Sequence, residues 1–152
     1  MYAAPVMELP EWGKCAEVRH HHFTNVQAHS EHVGVMSVKI AEWFMNHFHQ
    51  NLDLKTLCIA AAGHDLGMAG RAQMSELTLG WKHPLESYRI LKEHFGENRK
   101  LRKIVKHHMW PLCVIPPVSR EGWILTLADK VCAVEEKFGC GIPKESFVPA
   151  VK

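Results

Sequence analysis

The chain has 152 residues, 47% of them hydrophobic and 22% charged, which fits one folded domain and excludes an intrinsically disordered chain. Eighteen Lys or Arg against 16 Asp or Glu leave a formal charge of +2. That is too little for bulk electrostatic binding to nucleic acid or to a membrane surface.

Residues 1–24 hold Pro5, Pro10 and Gly13 and read as an irregular N-terminal segment. With no basic start followed by an apolar stretch, no secretory signal is expected. The run His20-His21-His22 closes this segment and reads as exposed or substrate-facing rather than metal-ligating. From Asn25 to about Gln50 the spacing of Val33, Met36, Ile40, Phe44 and Phe48 predicts a long helix. Leu54 to about Leu66 reads as a second, Ala-rich helix, followed by a loop with Gly67, Gly70 and Gly80. A third helix is expected to start near His83-Pro84, with Pro at the first helical position. It turns Tyr88, Leu91 and Phe95 inward and stops at Gly96. A fourth spans about Asn98 to His108, with Leu101, Ile104 and Val105 apolar, and Pro111, Pro116 and Pro117 then mark a loop. A fifth runs from about Arg120 to Phe138. In it Trp123, Ile124, Leu127, Val131 and Val134 form one face, flanked by Leu125, Ala128, Cys132 and Ala133. Residues 139–152 read as a loosely structured tail.

No segment alternates with period 2, no repeat occurs, and the longest wholly apolar stretches fall far short of the roughly 20 residues that cross a bilayer. The expectation is a single all-α domain, a bundle of about five main helices over 25–138. Five cysteines at 15, 58, 113, 132 and 140 without a CxxC argue against disulfides and against a Cys-based zinc site. Reduced thiols in a cytoplasmic protein are expected.

Twelve histidines are the outlying number, and histidine is the commonest metal ligand. Polar residues at apolar positions are therefore the informative ones. His29 lies on the Val33–Met36–Ile40 stripe, with His32 nearer its edge. Taken alone, His29 is more often a satisfied core histidine than a ligand. His64 and Asp65 follow an apolar run; their plain alternative is a favourable helix C-terminus with a solvated carboxylate. Asp129 interrupts a helix that is apolar almost all round, where a carboxylate is unfavourable unless paired or ligating. Lys130 is the alternative partner, set back by the divergence of consecutive helical residues. His83 stands at an expected helix start. His107 and His108 end the fourth helix, with His108 in phase with its apolar face.

The order His, HisAsp, His, HisHis, Asp resembles the HD superfamily of metal-dependent phosphohydrolases, over about 25–138. NVQAHSEHVGVMSVKIAEWF at 25–44 is similar to the first-ligand helix, AAGHDLG at 61–67 to the HD doublet, and LTLADKVCAVEE at 125–136 to the last-ligand helix. The portion from KHPLESYRILKEHFG to IVKHHMWP resembles the extended subgroups that carry two more His ligands, among them HD-GYP phosphodiesterases and small bacterial dinucleoside-polyphosphate hydrolases. Gly67 is followed by Met68 instead of Lys, and HHMWPLCVIPP replaces the GYP element, so a cyclic dinucleotide is not the expected substrate.

The resemblance implies that His29, His64, Asp65 and Asp129 hold one metal. Asp65 would bridge to a second ion on His83, His107 and His108, with His107 favoured by register and His108 by helical phase. Two divalent ions roughly 3.5–4 Å apart would hold a bridging hydroxide and clamp the phosphoryl oxygens. Fe, Mn, Zn, Ni or Co suits such ligands. Asp65, His32 and Lys130 are the expected catalytic group, His32 acting from beside the metal in acid–base chemistry. Between Lys82 and Lys106 eight Lys or Arg stand against three Glu. Arg71, Lys82 and Lys106 are the candidates for gripping the phosphate, whereas Arg99, Lys100 and Arg102 read as a solvated helix face. The expected partner is a small phosphorylated substrate, a nucleotide first among them, with neither a membrane nor a specific nucleic-acid target; a homodimer is compatible with these features. Two rivals stay open: an HD-type diiron oxygenase, and a non-catalytic nucleotide- or metal-binding regulatory module.

Overall fold

The computed structural model of the protein describes residues 2–20, 24–73 and 76–139, with the backbone alone for 70–81. The architecture is all-α, with one two-stranded ribbon. Two short helices, α1 (Ala4–Met7) and α2 (Pro10–Cys15), precede strands β1 (Arg19–His20) and β2 (Thr24–Asn25). Then come α3 (Val26–Phe48), α4 (Leu54–Gly63), a 3-10 segment (Leu66–Gln73), α5 (Glu76–Phe95), α6 (Arg99–His107) and α7 (Arg120–Lys137). None of the described helices is long and apolar enough to cross a membrane. The C-terminal tail expected after Gly139 lies outside the described residues.

The long helices begin where the sequence supplies a cap. Asn25, Asp53, Asn98 and Ser119 each accept a backbone N–H of the first turn: from Ala28 at 2.8 Å, Thr56 at 3.0 Å, Leu101 at 3.0 Å and Gly122 at 3.1 Å. Each such bond satisfies an N–H that the helix itself leaves unpaired. The helices α3, α4 and α7 pack together, α5 lies along the 3-10 segment and α6, and α6 also meets α4 and α7. Val33, Leu57, Leu91, Ile104 and Leu125 fill the space between them, all essentially inaccessible. Truncating one of these leucines to alanine removes about 2–5 kcal/mol of stability.

Several expectations are corrected. The N-terminal segment is not irregular, because Pro5 and Pro10 start helices instead of breaking them. Val6, Trp12 and Cys15 then join the core. The Gly-rich stretch is not a plain loop: Leu66–Gln73 is a 3-10 helix, and Gly80 lies within α5. His83-Pro84 is likewise interior to α5, whose first turns precede it; Pro84 only forgoes one backbone bond there. The inward faces are also rotated. On α3 the buried positions are Val26, Ala28, His29, Ser30, Val33, Ser37 and Ala41; Met36 and Ile40 pack against the core as expected, and Phe48 is exposed. On α7 Ile124 is buried as expected, but Leu125, Ala128 and Cys132 join it in the core, while Trp123, Leu127 and Val134 are exposed. Phe95, at the last turn of α5, is exposed too. On both helices small residues (Ala28, Ser30, Ser37 and Ala41; Ala128 and Cys132) share the buried face with Val33, Ile124 and Leu125. Trp123 packs edge-to-face on Trp110 at 5.1 Å instead of entering the core.

A charged clasp ties three helix ends together. Glu121 accepts the Asp53 backbone N–H at 2.9 Å and the Lys100 ammonium at 2.8 Å. Lys100 is therefore paired and not simply part of a solvated face.

Candidate metal centre

Helix α3 turns His29 into the interior at the end of its capped first turn, and α7 turns Asp129 toward it from the facing side. His29 Nε2 lies 3.0 Å from Asp129 Oδ1, and its Nδ1 lies 2.9 Å from Glu136 Oε2. Helix α4 stops at Gly63 and leaves His64 as its cap and Asp65 just beyond. Asp65 Oδ1 is 3.2 Å from His83 Nε2 on α5 and 3.6 Å from His108 Nε2 at the end of α6. Its Oδ2 is 3.4 Å from His64 Nε2.

Two glycines allow this convergence. A Cβ on Gly67 would lie 2.4 Å from the His83 carbonyl oxygen and 2.8 Å from the Ser87 nitrogen, so only glycine fits against α5 here. The Gly67 N–H donates to Ser87 Oγ at 2.9 Å and pins the crossing that brings His83 to Asp65. A Cβ on Gly63 would meet Leu91 at 2.7 Å.

Among the described residues, ligand atoms of His29, His64 and Asp129 lie within 4.8 Å of one another, and so do those of His64, Asp65 and His108. His64 belongs to both groups. All these side chains are buried.

The tautomers point the lone pairs inward. His64 Nδ1 lies 2.9 Å from the Ala61 carbonyl and His108 Nδ1 lies 2.7 Å from the Val105 carbonyl. A carbonyl only accepts, so each Nδ1 carries a proton, and in the neutral ring each Nε2 presents a lone pair. His64 Nε2 is buried with no hydrogen-bond partner, facing Asp65 at 3.4 Å and Asp129 at 3.8 Å. A lone pair between carboxylates is repulsive, and an unsatisfied buried polar atom costs about 1–3 kcal/mol. A cation resolves both, and neutral imidazole Nε2 with carboxylate oxygen is a donor set for divalent transition metals. The residues present therefore fit a metal.

The electrostatics agree. Burial alone would push the Asp65 carboxyl up, but His64, with His108 and His83, holds it well below the usual carboxylate range. Asp129 behaves likewise, its burial outweighed by His29 and His64. Burial would push the His29 ring down, yet Asp129 and Glu136 raise it to about 10. Glu136, despite burial, is held down to about 2 by His29 and His32. The cluster is thus a set of ionised acids around imidazoles.

The remaining sequence candidates are placed as follows. His32 is not at the centre but behind it, with Nδ1 3.0 Å from Glu136 Oε1 and Nε2 3.1 Å from Glu135 Oε2. Lys130 Nζ lies 2.6 Å from Asp129 Oδ2. The divergence of adjacent helical residues did not prevent this pair, because the lysine stem is long enough to fold back. His108 is in the cluster and His107 is half-buried outside it, its ring pushed down by partial burial and by Lys106 and Lys103. Lys82 is exposed and Lys106 half-buried. The side chain of Arg71, and His21 and His22, lie outside the described residues. Sequence reasoning missed Glu136, and gave His20 only as part of a run read as exposed or substrate-facing. The His20 ring stacks on His29 at 4.2 Å, with Nε2 3.7 Å from Asp65 Oδ2.

Among protein families, the HD domain matches residues 26–134. No curated protein and no solved structure matches the chain.

Proposed function

The chain belongs to the HD-domain family, most of whose members are metal-dependent phosphohydrolases, and from that premise we propose that it hydrolyses a phosphate ester or anhydride of a small molecule. A nucleotide is the substrate we favour, and two divalent metal ions are the cofactor. The observation that carries this reading is the buried, unpartnered Nε2 of His64 between two ionised aspartates.

In this reading His29, His64, Asp65 and Asp129 hold one ion, and Asp65 with His83 and His108 holds the other. Such ions, when bound, supply Lewis acidity toward phosphoryl oxygens and a strong nucleophile at neutral pH. The protein's part is to hold the donors in place and keep the surroundings dry. The carbonyls of Ala61 and Val105 fix the rings of His64 and His108, and Glu136 fixes that of His29. His32 in turn holds Glu136, so it acts on the centre through another residue. Partners of this kind set ring orientation and raise ligand basicity. Lys130, about one-third exposed beside Asp129, is the nearest cation to meet a substrate phosphate. Arg71, Lys82 and Lys106 are the further cations proposed for that contact.

Elemental analysis of the purified protein together with a panel of nucleotides tests the reading. Bound transition metal and phosphate release are expected, both lost in Asp65→Ala. An Asp65→Ala protein that keeps its metal and its activity overturns it, as does substrate-dependent oxygen uptake on bound iron with no phosphate release.

A further inference from the structure

His20 stands outside the helical bundle, on the two-stranded ribbon. The ribbon is short but anchored: His20 pairs with Thr24 and Arg19 with Asn25. The Val26 N–H donates to the Val18 carbonyl at 3.0 Å, and Asn25 also caps α3. The ribbon is thus fixed to the helix that carries His29, a few residues ahead of it. It lays the His20 ring on the His29 ring, centroids 4.2 Å apart and planes at 28°. One ring nitrogen is 3.7 Å from Asp65 Oδ2 and the other 4.0 Å from Glu136 Oε2.

Exposure separates His20 from its neighbours. The side chains of His29, Asp65 and Glu136 are 0%, 5% and 1% exposed, whereas that of His20 is 14% exposed. Of these four side chains His20 is the most accessible, and it lies on the Asp65 side of the acid cluster. An imidazole carries at least one N–H in either protonation state, so it can donate to an incoming oxyanion whatever its charge.

Resting on the hydrolase reading above, we propose that His20 is a substrate-contacting residue, donating a ring N–H to a phosphoryl oxygen of the substrate at the metal centre. Stacking on His29 fixes the ring plane, and the ribbon fixes its reach. The His20-His21-His22 run, which no helical periodicity explains, thereby contributes at least its first member to the site.

The test compares His20→Ala, His20→Phe and His20→Gln with the wild-type protein, all metal-loaded, using inorganic orthophosphate as the probe in calorimetric titrations. Phe keeps a ring against His29 without a donor, and Gln keeps an N–H without the ring. Ala and Phe are expected to weaken orthophosphate binding about tenfold or more, the scale of a hydrogen bond to a charged group. Gln recovers part of the loss, and metal stoichiometry is unchanged in all three. A Phe variant that binds orthophosphate as the wild type does reduces His20 to packing and overturns the proposal. Loss of metal in both Ala and Phe makes His20 a ligand and overturns it as well. Wild-type protein that binds orthophosphate through His20 but releases none from any phosphate ester refutes the hydrolase reading and leaves the contact standing. Metal-loaded wild type that binds no orthophosphate refutes both.

Discussion

The two halves of the buried cluster are built differently. On the α3–α7 side, His29 sits between Asp129 and Glu136 at 2.9–3.0 Å, and His32 braces Glu136 from behind. On the α4–α5–α6 side, Asp65 meets His83, His64 and His108 at 3.2–3.6 Å, and the Nε2 atoms of His83 and His108 approach within 3.2 Å of each other. The first half satisfies its imidazole with two carboxylates and holds together with a proton alone. The second has three imidazoles around one carboxylate, and shares His64 with the first. Three imidazole nitrogens converging on one carboxylate suit a bound metal ion better than a single proton, so metal dependence should show most strongly there.

Asp65→Ala removes the carboxylate proposed to serve both ions and should have the largest effect. Metal occupancy and phosphate release should fall by more than the roughly 10–100-fold typical of losing a partner behind a ligand. Elemental analysis and phosphate-release assays read the two losses. Glu136→Gln strikes only the braced half. There metal affinity should drop about 10–100-fold with residual turnover at saturating metal. Equal losses in Asp65→Ala and Glu136→Gln would erase the contrast between the halves.

Gly67→Ala attacks the second half through packing. Its Cβ would need to displace the backbone of α5. A loss of about 1–3 kcal/mol is expected by chemical denaturation. Saturating metal should recover less stability in this variant than in wild type, because the strain moves His83 away from Asp65. Full recovery would mean that α5 tolerates the shift.

The smallest effect expected is that of the charged clasp, which lies away from the cluster. Despite partial burial, the Lys100 ammonium and the Asp53 N–H hold the Glu121 carboxyl below its ordinary 4.5. A folded-state pKa below the unfolded one adds stability that is present above the unfolded value and lost as pH falls through the folded one. The stability gap between wild type and Glu121→Gln should therefore be open at pH 7 and close as the solution is acidified below about 4.5. A gap that widens with acid would show the clasp to be wrongly assigned.

Much of this was legible in the sequence, for particular physical reasons. Asn25, Asp53, Asn98 and Ser119 announce helix starts because each is a short polar side chain just ahead of an apolar periodic run. The ordered histidines and aspartates signal a cluster because ionisable groups on apolar faces need partners. Helical phase favoured His108 over His107, and His108 is the one buried in the cluster. Glu136 was legible but unread: it continues the Asp129–Cys132 spacing by four, along the face that Ala128 already marks as buried. The inward faces of α3 and α7 were harder to see, since bulk suggests burial whereas Ser30, Ser37, Ala41, Ala128 and Cys132 are buried and Phe48, Trp123 and Leu127 are exposed. His20 left no periodic signal at all. Its place depends on a two-residue ribbon that only the folded chain brings over the site, although the rest of the site was laid out in helices.

The most direct test of the central claim is a titration of metal-free protein with Mn or Zn, followed by elemental analysis after desalting. Two ions per chain are expected in the wild type, with binding severely impaired in His64→Ala, which removes the ring shared by both groups. A wild-type protein that retains no metal, or a His64→Ala protein that retains the wild-type amount, would contradict it.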